Sequence, residues 1–318
     1  MAHHRIAATP DTVRIGMFDA AFPPIATVAP GDTVELETVS GTLSRLPPAD
    51  TGLDVPLALR RILDAGLPSL ATHILTGPVA VAGAEPGDML EVRIDAITPT
   101  VGWGWNLIMP LTGVLPEDFS DKVLSHIAVD LQRGVAALPW GGELELSPFF
   151  GTMGVAPPAA FGRISSKEPR VHGGNLDNRH LTAGSTLFLP IHAEGALFSA
   201  GDGHGVQGDG EVCFTALEMC LTGQFTLLLH KGGGTRDPVL RFPRAETPSH
   251  YISMGLNEDL DQAMKQAVRE MITLICARTS LTRAQAYQFC SLAGDFHVTQ
   301  AVNGEKGVHG LLRKDLLA

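Results

Sequence analysis

Twice the chain reads Pro-Gly-Asp followed by a run of period two. Pro30-Gly31-Asp32 opens residues 33–38 (TVELET), and Pro86-Gly87-Asp88 lies within residues 79–97 (VAVAGAEPGDMLEVRIDAI). Alternation of that kind sends successive side chains to opposite faces, as in a half-buried strand. Glycine and proline punctuate the whole length, with 35 and 22 among 318 residues. Such spacing suits many short strands joined by tight turns and disfavours a helical bundle. Residues 143–156 read as a strand running into a turn, and residues 222–230 as another strand. Helical spacing is confined to a short piece at residues 55–66, stopped by Gly66, and to the C-terminal part. There Asn257 is placed to cap a helix through about Ala277, with Glu258 and Asp259 in its first turn. Thr282 and Gln285 have the spacing of a capping box that opens a second helix, and Gly294 is placed to stop it. Residues 295–303 then read as a strand. The fold class is mainly β (α+β), with a helical hairpin near the end and a short strand after it. The length allows one large domain or two ordinary ones.

The net charge of −11 argues against nucleic acid or an anionic membrane surface as partner, because both attract basic proteins. The four cysteines, Cys213, Cys220, Cys276 and Cys290, form no CxxC pair and no metal-finger spacing. Free thiols in apolar runs fit a reducing, cytoplasmic setting. The first residues lack the apolar core of a signal peptide, and no run reaches the length of a membrane span, so the chain reads as a soluble intracellular protein.

Chemistry concentrates in residues 201–211, GDGHGVQGDGE, where five glycines separate Asp202, His204, Gln207, Asp209 and Glu211. A solvated acidic turn is the plain reading. Against it stand the apolar flanks, GALFSA before and VCFTALEMCL after, which pin the segment to a core. Crowded carboxylates are costly unless a cation or proton offsets them, and a neutral imidazole binds metal. Glycine lets the backbone reach positive φ and lets a ligand approach. If residues 207–215 are extended, Gln207, Asp209, Glu211, Cys213 and Thr215 share a face. The formal GxGxxG at Gly203, Gly205 and Gly208 is discounted, because Asp202 and Asp209 would repel a pyrophosphate and no βαβ unit surrounds it. Cys213 as nucleophile is disfavoured by apolar neighbours, which raise a thiol's pKa.

The segment HGGNLDNRHLTAGSTLFLPIHAEGALFSAGDGHGVQGDGEVCFTALE resembles the acetamidase/formamidase family. LTGPVAVAGAEPGDMLEV, PPIATVAPGDTVELET, PFFGTMGVAP and GDFHVTQAVNGEKGVHGLL extend the likeness, and together these pieces span nearly the whole chain. The resemblance implies a β-sandwich-like core and hydrolysis of short amides to carboxylate and ammonia. It also implies a homodimer or higher homo-oligomer. Residues 1–318 then form a single unit, or two intertwined β subdomains at about 1–160 and 161–318. The chain departs from the family pattern at His73-Ile74 and Gly205-Val206, which assigns His73 and Gly205 to the substrate pocket. Trp103 and Trp105 fall on one side of an extended segment, as core or interface filling or as an aromatic wall over a small substrate, with Trp103 the expected substrate contact.

Amide hydrolysis needs an activated water or nucleophile, charge stabilisation at the carbonyl oxygen and a proton for the leaving nitrogen. A divalent metal supplies two of these needs. The expected ligands are Asn175 and Asp177 from the GGNLD turn, with Asp202 and His204. Zinc suits the mixed oxygen and nitrogen set, while calcium or magnesium would suit it without the histidine. Glu211 is the expected general base, Gln207 orients the amide, and Asp209 holds the loop or a histidine beside it. Asn175 and Asp177 could instead satisfy a Gly-Gly turn, and His204 could be structural. Two alternatives stay open: another small amide, cyclic amide or carbamate as substrate, or a noncatalytic small-ligand or ion-binding protein on the same scaffold.

Overall fold

A computed structural model describes residues 1–233 and 240–317. Two large sheets carry the fold. The nine-stranded sheet runs, neighbour to neighbour, His3–Ile6, Thr33–Glu37, Leu221–His230, Met89–Pro99, Thr186–Pro190, Arg244–Glu246, His250–Asn257, Lys306–Arg313 and Gly294–Gln300. The eleven-stranded sheet is centred on Phe198–His204, which lies between Phe149–Gly154 on one side and Ile74–Val81 and Glu218–Met219 on the other. Both sheets contain strands from before and from after residue 160. Leu221–His230, for example, pairs with both Thr33–Glu37 and Met89–Pro99.

The two sheets bury their apolar faces against each other. Val34, Leu36, Leu90, Val92 and Phe225 from the first meet Phe150, Met153, Phe198, Ala200 and Met219 from the second in one core. The Phe150 and Phe198 rings lie 5.4 and 5.5 Å from the Phe225 ring. Buried aromatics of this size dominate core energetics, and truncating one costs about 3–5 kcal/mol.

The turn-opened strands form where their alternation puts them, and Thr33–Glu37 buries Val34 and Leu36 completely while its polar positions stay half-buried. The short helix is Leu57–Asp64. The C-terminal hairpin is Leu260–Arg278 and Arg283–Ala293, with the Thr282/Gln285 capping box formed. One expectation at its ends is corrected. Asp259, not Asn257, caps the first helix by accepting from the Gln262 amide, and the Asn257 side chain instead accepts from the Asp259 amide. Gly294 stops the second helix at its C-terminal cap, though not in a left-handed turn. It has φ −94° and begins the strand Gly294–Gln300 directly. The hairpin packs Ala263 and Ala267 against Val308, covering the far end of the nine-stranded sheet. No helix among the described residues is long and apolar enough to cross a membrane.

One buried group ties this core to pH. His172 is fully buried, edge-on to Phe18, and neither ring nitrogen has a hydrogen-bond partner. Burial, assisted by repulsion from His192 and Arg170, lowers its pKa from 6.5 to about 3. The folded state therefore holds the ring neutral while the unfolded chain protonates it near pH 6.5. The stabilisation is complete above that pH and drains away as pH falls toward about 3. At pH 5 this linkage is worth about 2 kcal/mol. Denaturant midpoints at pH 7 and pH 5 should fall less for His172→Gln than for the parent; an equal fall would exclude His172 as the source.

Candidate active site

The acidic glycine segment is not a loop throughout. Its first part, ending at His204, is the C-terminal half of the strand Phe198–His204. Asp202 and His204 are two residues apart and so face the same side of the sheet. Gly203 between them faces the other way, where a Cβ would lie 2.6 Å from the Met219 carbonyl oxygen. Here glycine provides close approach rather than positive φ. Positive φ falls on Gly210 (φ 100°) and also on three non-glycine residues, Asp202 (φ 58°), Asp177 (φ 47°) and Glu211 (φ 47°). Non-glycine residues in that region cost of order 1–3 kcal/mol each and concentrate at functional sites. Residues 207–215 are not an extended strand, so the shared face expected there does not form.

The neighbouring strand Phe149–Gly154 makes the space. In its register Phe150 faces Gly203 and Thr152 faces Gly201, which sets Gly151 opposite Asp202. A Cβ on Gly151 would lie 2.5 Å from Asp177 Oδ1, 2.7 Å from His204 Cε1 and 2.8 Å from Asp202 Oδ2. Asp177 arrives from the turn after Gly173–Asn175, its amide donating to the Gly151 carbonyl at 3.1 Å.

Four carboxylates, Asp177, Asp202, Glu211 and Glu218, and His204 are all buried together. His204 Nε2 lies 3.2 Å from Glu218 Oε1, 3.6 Å from Asp202 Oδ2 and 3.9 Å from Asp177 Oδ1. Its other nitrogen, Nδ1, is 2.9 Å from Gln207 Oε1. The Gln207 amide nitrogen donates to the Asp177 carbonyl at 2.8 Å, which fixes the amide's orientation. Its oxygen can then only accept, so His204 carries a proton on Nδ1 and presents Nε2 to the carboxylates. Asn303 donates to Asp177 Oδ2 at 2.5 Å, and Thr152 donates to Asn175 Oδ1 at 2.6 Å. Left without a hydrogen-bond partner are His204 Nε2, Asp177 Oδ1 and Glu211 Oε2. Ligand atoms of Asp177, His204 and Glu211 lie within 4.8 Å of one another, as do those of Asp202, His204 and Glu218.

The electrostatics follow from this crowding. Burial and the Asp202 charge push Asp177 up to about 6, against the pull of His204. Burial, then the charge of Asp177, holds Glu211 well above the usual carboxylate range, and Glu218 is raised chiefly by burial. For His204 burial opposes protonation, but Glu218 and Asp202 outweigh it and the net shift is upward. Burial likewise raises Asp202, but His73 and His204 prevail and its pKa falls. So much partly compensated negative charge around unpartnered lone pairs fits a divalent cation, with Asp177, Asp202, Glu211, Glu218 and His204 as the available donors.

These groups open on a cavity of about 240 Å³ whose walls include Arg45, His73, Trp105, Asn175, Asp202, Glu211, Glu218 and Asn303. His73 is held by a 2.7 Å contact to Ser166 Oγ and approaches Asp202 Oδ2 at 4.0 Å. Arg45 stacks on the Trp105 ring, 4.8 Å from its centroid, and the Trp105 Nε1 donor is buried without a partner.

Of the residues singled out in the sequence, Glu211, Asp177, Asp202, His204, Asn175 and His73 lie at this cavity or in its carboxylate cluster. Gln207 lies behind His204 rather than on the cavity wall. Trp103 is buried away from the cavity, its Nε1 donating to the Asp54 carbonyl at 2.8 Å, because the one-strand-step partner Trp105 takes the wall. Gly205 is packed under Met219, where a Cβ would meet Sδ at 2.4 Å, and it does not line the cavity. Asp209 is exposed and turns to a different group of side chains, 3.8 Å from His297 Nδ1. Trp105, paired with Trp103 in the sequence as a candidate wall, does line the cavity, whereas Glu218, Asn303, Arg45 and Gly151 carried no assignment there. A lone carboxylate inside the apolar run VCFTALEMCL was a usable signal for Glu218.

The fold is a two-sheet β scaffold with a buried carboxylate–histidine cluster that opens on a small cavity. The chain belongs to the acetamidase/formamidase family, whose model matches residues 11–168 and 163–304. It is a hydrolase acting on the carbon–nitrogen bonds of linear amides. It is 30% identical over 303 residues to a formamidase of Methylophilus methylotrophus, covering 77% of this chain and 72% of that protein. It is also 30% identical over 256 residues to an acetamidase of Mycolicibacterium smegmatis, covering 62% of this chain and 61% of that one. An acetamidase crystal structure from Bacillus halodurans superposes with a TM-score of 0.84 at 29% identity, covering 98% of both chains.

Proposed function

We propose that this chain hydrolyses a short amide of formamide or acetamide size, with Glu211 moving the proton between the attacking water and the leaving nitrogen. The observation that carries this reading is the convergence of three buried atoms that make no hydrogen bond, Asp177 Oδ1, Glu211 Oε2 and His204 Nε2, the last held only by ion-pair contacts to the surrounding carboxylates. His204, Asp177 and Asp202 would hold a divalent cation, and the imidazole favours zinc over calcium or magnesium. Such an ion polarises a carbonyl and lowers the pKa of bound water toward about 7.

The protein's own groups account for the rest. Gln207 fixes the tautomer of His204, and Asn303 and Thr152 hold Asp177 and Asn175 in place. Burial and Asp177 favour the protonated form of Glu211; a cation bound beside it would restore the carboxylate, which could then accept a proton from water at its Oε2 and return it to nitrogen. The partnerless Trp105 Nε1 on the wall is a donor for the substrate carbonyl, where charge develops during attack. The small cavity favours a short acyl group. Exposed Leu111, Phe119 and Trp140 support assembly into a homodimer or larger homo-oligomer, and four free thiols support a reducing, cytoplasmic location.

Ammonia release from formamide, acetamide and a panel of longer and cyclic amides tests the reading, run before and after metal removal by a chelator. Short linear amides should be turned over, activity should fall on chelation, and added zinc should restore it. Unchanged turnover in a metal-free preparation would remove the cation from the mechanism. No turnover of any amide, with formamide still raising the unfolding temperature, would make the chain a binding protein.

A further inference from the structure

A second cluster of metal-binding side chains lies outside the cavity. His180, Asp209 and His309 each offer a ligand atom within 4.8 Å of the others. His309 is fully buried on the strand Lys306–Arg313, and its Nδ1 lies 2.7 Å from Thr299 Oγ1. Its Nε2 is left without a partner, as is Nε2 of His180. Across the strand pair His297 sits in register with His309, the two rings stacked at 5.4 Å, and its Nδ1 is 3.8 Å from Asp209 Oδ2. The His180 ring meets His309 edge-on at 4.9 Å.

We propose that His180, Asp209 and His309, with His297 as the neighbour that backs Asp209 and His309, form a second divalent-metal site of the zinc class, separate from the catalytic cluster. Two imidazoles and one carboxylate, with water to complete the shell, are a donor set that zinc-class ions select over magnesium or calcium. Burial and the neighbouring rings of His180 and His297 lower His309 to about 3, and burial lowers His180 as well. Thr299 supplies the outer hydrogen bond that a ligating histidine needs to fix its tautomer.

The placement gives the ion a mechanical task. His180 belongs to the same turn as Asp177, and Asp209 lies two residues before Glu211. Gly210 is already stitched to the end of the histidine-bearing strand, its amide donating to the Thr299 carbonyl and its carbonyl accepting from Ala301. A metal here would clamp both segments that deliver carboxylates to the catalytic cluster onto one rigid strand pair.

Metal content and cobalt(II) binding to the full-length protein test this. In a His204→Gln background, which weakens the catalytic cluster, about one equivalent of cobalt per chain should remain, with the visible absorption of a low-coordinate nitrogen–oxygen site. His180→Gln and His297→Gln, at partly exposed positions, should each weaken that binding by about tenfold or more. His309→Gln should abolish it. Cobalt binding that is unchanged in both His180→Gln and His297→Gln, or absent from the His204→Gln protein while that protein stays folded, would overturn the proposal and leave an imidazole cluster with a packing role only.

Discussion

Glu211→Gln is expected to lower kcat on formamide or acetamide by about 10²–10⁴-fold, the range that a positioned general base contributes. The fold should survive. Burial already favours the uncharged form of this carboxyl, and an amide of the same shape asks nothing new of the surroundings. KM should change little, because the proton transfer is made only on the way to the transition state. Turnover, metal content and thermal unfolding measured on one preparation separate the roles. Lost turnover with metal retained identifies a proton carrier. Loss of both identifies a ligand. Near-normal turnover removes Glu211 from the chemistry.

Gly151→Ala is expected to cost comparable activity without touching any reactive group. The added methyl would occupy the point where Asp177 Oδ1, His204 Cε1 and Asp202 Oδ2 converge, at 2.5, 2.7 and 2.8 Å. Nothing at that distance can stay in place, and displacing a reacting constellation by about 1 Å costs about 10²-fold. Overpacking should also lower stability by about 1–3 kcal/mol. The measurement is kcat beside a denaturant midpoint. An alanine protein with turnover within a few-fold of the parent would show that the three side chains converging on Gly151 do not act together.

The two substitutions bracket what the site requires. One removes a proton acceptor and leaves the geometry alone. The other leaves the chemistry alone and closes the vacancy that lets three polar side chains meet. That vacancy belongs to a strand, Phe149–Gly154, whose sequence carries none of the reacting groups.

The sequence by itself determined the strand-rich class, the turn-opened strands, the helical hairpin with its Thr282/Gln285 box and the family. It also singled out Asp177, Asp202, His204 and Glu211, which the structure brings into one buried cluster. These properties are local, written in period, capping chemistry and composition, which act between residues a few positions apart. Only the tertiary structure decided that Trp105 rather than Trp103 lines the cavity. It likewise decided that Glu218 and Asn303 join the site from other segments, that Asp209 turns toward His297, and that Gly151 makes the room. These outcomes depend on strand register and on which face each segment buries, set by pairing between residues tens to more than a hundred positions apart, and no local pattern encodes them.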